Sequence, residues 1–221
     1  MNGPSPSPGL RERKKQKTRD TIINVALELF AERGYEHTTI VEIADAAEVS
    51  PRTIFAYFPS KEDILFSDVP EIQQRFAHAL DHRAEGVTAL DALRDSIAES
   101  LDLGPHELQR KRIVAPDEAL RRSERARIDA PFQQLMVDAI AKDLGTGRDD
   151  MRPQMVAAAL TAAFSALRDR DLASPSTSFS PERAMAVVDE VIGFVRGGLE
   201  ALEHDGRPTS TNITGNTGVE A

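Results

Sequence analysis

Three helix starts fall within 22 residues, at Thr39, Ser50 and Ser60, and this spacing limits the fold more than any other feature of the chain. Each is a residue whose side-chain oxygen can accept a free N–H of the first turn. Pro51 follows Ser50, at a position where a missing N–H costs nothing. Glu62 and Asp63 follow Ser60 and favour the positive end of the helix dipole. Helices so closely delimited are short, and short helices persist only when packed on something longer. The longer partner precedes them. From Lys17 to Arg33 apolar residues recur at Ile22, Ala26, Leu29 and Phe30, and Gly34 stands where a C-cap glycine would.

The same punctuation continues down the chain. A fourth helix is predicted from Ser60, carrying Leu65, Val69, Ile72, Phe76 and Leu80, with Pro70 inside it and a bend near Phe66. Leu90, Leu93, Ile97 and Leu101 make a fifth, closed by Gly104-Pro105. A short sixth ends at Pro116. The next segment, to Gly145, shows Phe132, Met136, Ala139, Ile140 and Leu144, with Pro131 as its start or kink. Residues 151–170 and 181–203 are the last two, parted by a Ser/Pro/Thr-rich loop over 173–180. No strand pattern or internal repeat interrupts this. The fold class is all-α, with about nine helices.

Composition narrows the chemistry. The chain has no cysteine, which removes disulfides and thiolate metal sites. Its five histidines, His37, His78, His82, His106 and His204, do not cluster in sequence. His78 and His82 can share a helix face, but two ligands do not close a metal site. No metal or other cofactor is expected. The first nine residues are polar and proline-rich, unlike a secretory signal, and no window is apolar enough to span a membrane. The chain is expected to be soluble and cytoplasmic. Asn212-Ile-Thr214 matches a glycosylation pattern without meaning in that compartment. The net charge of −9 speaks against nucleic acid until its distribution is considered. Residues 10–19 hold six positive charges against one negative, whereas Glu85 to Glu107 is acidic with only Arg94 in return. A basic arm on an acidic body suits a protein that meets phosphate at one end.

Thr39 to Phe58 carries the strongest local pattern. Two short helices are joined by Ala47-Glu48-Val49. Ala44 is small where they would cross, and Ile43, Ala47, Val49, Ile54 and Phe58 are apolar where the pair must pack on the first helix. This is the helix-turn-helix pattern, whose second helix enters the major groove. Glu48 departs from it, since many such turns place glycine there.

Residues 23–65 resemble the N-terminal domain of the TetR family. The resemblance rests on Leu-Phe-Ala-x-x-Gly-Tyr at 29–35, Thr-Thr at 38–39, Ile-Ala at 43–44, Val-Ser at 49–50 and Tyr-Phe-Pro-Ser-Lys-Glu at 57–62. It implies a flexible basic arm at 1–16, a DNA-binding domain at 17–66, a helical ligand-binding and dimerisation domain at 67–203, and a disordered tail at 204–221. Thr38, Thr39, Tyr57 and Lys61 are then phosphate contacts. Ser50, Pro51, Arg52 and Thr53 begin the recognition helix, and Arg52 alone there can grip guanine through two hydrogen bonds. Phe55 can pack on a thymine methyl. Ala56 departs from the bulkier residue usual in the family, which puts base contact there in doubt. Phe58 and Leu65 fit a core role.

For the remainder the resemblance implies a dimer and an effector site. Small rows at Ala158/Ala162/Ala166 and Ala159/Ala163 face a branched row at Val187, Val191, Val195 and Leu199, beside Val188 and Ile192. Two copies would form a four-helix bundle about a two-fold axis. The effector-site candidates are Leu93, Ile97, Ile113, Phe132, Met136, Ile140, Phe164 and Leu167, which favour a hydrophobic molecule, with an acyl chain or acyl-CoA as one form. Arg110, Lys111 and Arg112 are available for an anionic head group. No Glu-x-x-His pair lies on a core stripe and no glycine-rich phosphate loop follows a strand, so an enzyme is not expected. The expected function is a ligand-responsive regulator: a dimeric repressor on a palindromic operator, released by a small effector. An activator of the same kind and a ligand-independent architectural DNA binder are the alternatives.

Overall fold

A computed structural model describes residues 9–100, 104–173 and 181–205. The described residues form ten helices and no strand. The first, α1 (Leu10–Arg33), starts seven residues before the predicted Lys17, so the described part of the basic arm is helical. Gly34 ends it at φ 86°, with its N–H on Phe30 O. Thr39 starts α2 (Ile40–Ala46) through a reciprocal cap with Glu42. Ser50 caps α3 (Pro51–Tyr57) and Ser60 caps α4 (Lys61–Leu65). All three predicted helix starts are present.

The predicted fourth helix is two helices. After α4 the chain turns at Phe66, where φ is −100° and ψ is 27°, and α5 (Val69–Asp81) begins with Pro70 in its first turn. A proline in a helix interior would lack its N–H and crowd the carbonyl four residues back. The break moves Pro70 to a position where neither matters. The expected bend within a continuous helix is therefore replaced by a full stop and restart. Pro131 behaves in the opposite way, because it lies inside one unbroken helix, Glu118–Leu144.

The body contains α6 (Ala89–Glu99), α7 (Pro105–Val114), α8 (Glu118–Leu144), α9 (Met151–Ala173) and α10 (Pro181–Asp205). Leu101, the loop over 174–180 and the tail from 206, including Asn212-Ile-Thr214, lie outside the described residues. Among the described residues no helix is long and apolar enough to cross a membrane.

Two apolar cores hold the chain. One joins Ile22, Leu27 and Phe30 of α1 to Ile43, Ile54, Ile64 and Leu65, and continues into Ile113 and Val114 of α7 and Leu120 of α8. The other joins Leu80, Leu93, Met136, Ile140, Leu160, Ile192 and Val195. The first core thus crosses the boundary expected at residue 66. Polar bonds reinforce the crossing and the link just past it. Arg110 on α7 is only 2% exposed and donates to Asp68 at 3.0 Å and to Glu124 on α8. Arg127 on α8 donates to Asp63 at 2.9 Å and Glu62 at 3.1 Å on α4, and its guanidinium lies 5.2 Å from the centre of the Phe66 ring.

Candidate nucleic-acid interface

The pair α2–α3 is set by its turn. Val49 N–H reaches Ala44 O at 2.9 Å, and Ile43, Ala44, Ala47 and Ile54 are buried against α1. Glu48 makes the turn at φ 55°, the left-handed region. A side chain with a Cβ pays about 1 kcal/mol or more there. Glu48 is exposed, so Glu48→Gly is expected to raise stability by about 1 kcal/mol, seen as a higher urea midpoint at unchanged slope. A lowered midpoint would mean that the Glu48 side chain stabilises the turn in another way.

Burying Ile54 turns the opposite side of α3 outward. Pro51, Arg52, Phe55 and Ala56 are exposed, Phe55 at 55%, and Thr53 and Tyr57 are half-buried. Ser50 Oγ accepts Thr53 N–H at 3.1 Å and lies 2.8 Å from Thr53 Oγ1, so these two hydroxyls organise the helix start. Arg52 is left as the guanidinium on an outward face that also carries an exposed ring. Such a face can meet base edges: a fork for guanine and apolar surface for a thymine methyl. Val41 of α2, also exposed, was missed in the sequence. Its signal is that it falls off the Ile40/Ile43/Ala44/Ala47 stripe.

Three of the expected phosphate contacts are engaged elsewhere. Thr38 is 1% exposed, and its hydroxyl donates to Gly34 O at 2.9 Å, closing the end of α1. Thr39 is exposed, but its N–H and hydroxyl both donate to Glu42, which receives Arg33 as well. The Thr39 hydrogen bonds hold the Glu42 carboxyl below its usual range, so a carboxylate guards this helix start. Lys61 Nζ donates to Tyr35 O at 2.7 Å and Thr38 O at 3.0 Å, 4.1 Å from the centre of the Tyr35 ring. It ties α4 to the α1–α2 turn. Burial, then Glu62, pushes the Tyr35 phenol up, so that ring stays neutral beneath the ammonium. Of the four, Tyr57 alone makes no hydrogen bond among the described residues, and its ring is half-buried against the first core.

Six of the eight effector-site candidates gather in or against the second core, and Ile113 lies apart from them. Ile113 belongs to the first core, with α1. Leu93, Met136 and Ile140 are packed in the second. Phe132 and Phe164 are half-buried, with ring centres 5.9 Å apart and edge-on, and Phe76 meets Phe132 at 6.3 Å. Ile97 and Leu167 are half-buried. Arg110 cannot serve a head group, being inside on Asp68 and Glu124; Lys111 pairs with Glu107 at 3.8 Å, and Arg112 is exposed. His78 and His82 do share a face, stacked at 4.0 Å.

The residues expected at the dimer face divide between the interior and the surface of the chain. Val188, Ile192 and Val195 are buried within the chain, and Val191 and Leu199 pack beside them. The unburied apolar surface lies on the other side of α10, at Phe194 (81% exposed) with Gly197 and Gly198, and on α9 at Met151, Met155, Ala158, Ala159, Ala162 and Ala166. Ala158, Ala159, Ala162 and Ala166 thus face outward, whereas in the branched row Val195 is buried and Val187, Val191 and Leu199 are half-buried.

Residues 22–67 match the family described as "Bacterial regulatory proteins, tetR family". The HTH-type transcriptional regulator TcmR of Streptomyces glaucescens is 36% identical over 170 residues, covering 70% of this chain and 73% of that protein. The fatty acid metabolism regulator protein of Bacillus subtilis is 37% identical over 90 residues, covering 39% of this chain and 46% of that protein. Among solved structures, NalD, the secondary repressor of the MexAB-OprM multidrug efflux pump in Pseudomonas aeruginosa, superposes with a TM-score of 0.61 at 23% identity, over 81% of this chain and 97% of NalD.

Proposed function

The chain belongs to the TetR family of bacterial transcriptional regulators, and from that premise we propose that it is a cytoplasmic repressor, binding a palindromic operator as a dimer and leaving it when a small apolar molecule enters the body. The observation that carries the reading is the outward face of α3. There an exposed guanidinium and an exposed ring stand on a helix whose other side is anchored by the fully buried Ile54. Residues 17–66 are the reader, with Ser50 and Thr53 shaping its start, Arg52 and Phe55 meeting bases, Pro51 and Ala56 beside them, and Tyr57 on phosphate. Residues 67–203 sense and dimerise.

The half-buried rings Phe76, Phe132 and Phe164, which join α5, α8 and α9, support an apolar effector, because small-molecule sites are lined mainly by apolar and aromatic side chains. The route from there to the reader is Arg127. It sits on α8 with Phe132 and grips both acids of α4, while burial, which would raise the Asp63 pKa, is overcome by its bonds to Ser60 and Arg127. A shift of α8 moves α4 with it. This replaces Pro70 as the expected hinge.

Arg52→Ala is expected to weaken operator binding by about 1–3 kcal/mol and to relax preference at one base pair in each half-site. Binding to a set of single-base operator variants measures it. An equal loss on every variant would make Arg52 a phosphate contact and remove the base-reading role.

A further inference from the structure

Between reader and body runs a crevice of about 460 Å³, within the range of small-molecule sites, roughly 300–1,000 Å³. Its walls come from α1 at Arg19, the end of α3, the α4–α5 link, and α8 at Ala126 and Arg127. Phe58, Phe66 and Val69 are buried beneath it, and Pro59, Pro70 and Pro131 stand exposed around it. The lining is mostly ring and hydrocarbon, and prolines with fixed φ make its rim stiff.

Two guanidiniums interrupt this lining, and they differ. Arg127 is spent on Glu62 and Asp63, the latter being the one acid of the crevice. Arg19 is half-buried, 5.4 Å from the centre of the Phe58 ring, and donates to Ser67 O at 3.1 Å. Among the described residues it meets no carboxylate. A partly desolvated cation without an anion is unfavourable in an apolar slot, and its planar fork matches a carboxylate. We propose that the crevice binds a small planar organic monocarboxylate, its ring system between Pro59, Pro70 and Pro131 and its carboxylate on Arg19. The occupant touches the end of the recognition helix and α8 together, so it biases the angle between reader and body. That consequence rests on the operator reading above; the binding does not.

Calorimetry on the full chain without DNA tests the site, with 2-naphthoate as probe and 2-naphthalenemethanol as its neutral analogue. The acid is expected to bind at least about tenfold more tightly than the alcohol, and Arg19→Gln to abolish that difference. Ala126→Trp, at the exposed rim, is expected to block the acid at unchanged melting temperature, and it keeps the test open should Arg19→Gln misfold. Equal binding of acid and alcohol, retention of binding in Ala126→Trp, or no heat at roughly millimolar probe would overturn the proposal. So would an Arg19→Gln chain that loses operator affinity yet still binds the acid, since Arg19 would then serve a DNA phosphate. Acid binding with unaltered operator affinity would leave the site standing and remove only its regulatory consequence.

Discussion

Arg110→Ala lowers the unfolding free energy by about 3–5 kcal/mol, as urea denaturation should report. Arg110 joins α7 to the α4–α5 link through Asp68 and to α8 through Glu124, with Glu107 at 4.0 Å. Burial alone would lower the pKa of its guanidinium, but Asp68 and Glu124 outweigh that and raise it. Removing the cation leaves Glu124, 4% exposed, with an uncompensated charge in a place water reaches poorly. The loss is larger than that of any surface pair, which contributes about 0–1 kcal/mol. Since Asp68 belongs to the link that leaves the reader, two residues past Phe66, the variant should also weaken operator binding. A loss below about 1 kcal/mol would mean that the acids are solvated in solution and that the network is not a structural centre.

Phe194→Glu is expected to give a monomer at micromolar concentration and to weaken operator binding by about 10²–10⁴-fold, because two half-sites are then no longer held by one linked pair. The side chain is 81% exposed in the single chain, so its replacement should leave each protomer folded; circular dichroism can check this. In the proposed dimer it would place two like charges near the two-fold axis. Ala162→Glu, on the facing surface of α9, should act alike. Light scattering that still reports a dimer for both variants would put the interface elsewhere. Val195 cannot serve this test, because it lies in the core and its replacement would damage the fold.

Much of this was legible in the sequence because it depends on local rules. The caps at Thr39, Ser50 and Ser60 are stereochemical facts about a first turn, and all three are present. The helix-turn-helix pattern was readable for the same reason, although Glu48 counted there only as a departure from glycine and its left-handed turn is seen in the structure alone. What the sequence did not show was contingent on distant partners. Lys61 looked like a phosphate ligand, but nothing in the sequence places Tyr35 O and Thr38 O within its reach. Arg110 was read as available to an anionic head group, because two of its acids lie on other elements, and Arg127 drew no reading for the same reason. The valine row on α10 was rightly apolar, yet periodicity alone does not say which of two apolar sides faces its own chain. Pro70 marked a discontinuity, and its missing N–H could not decide between a bend and a break.

The first core has a consequence for modular exchange. Ile64, Leu65 and Phe66 at the end of the reader share their packing with Ile113, Val114 and Leu120. A chimera that grafts this reader onto another sensor with a seam after residue 66 keeps one half of that interior and discards the other. The foreign helices would have to offer the same knobs, a cation where Arg110 meets Asp68 and a grip on α4 like that of Arg127. The interchangeable unit is therefore discontinuous in the chain: the first 69 residues together with a patch of α7 and the first turns of α8. Recombination that swaps sensors among such regulators must carry that patch along, or rebuild it one side chain at a time.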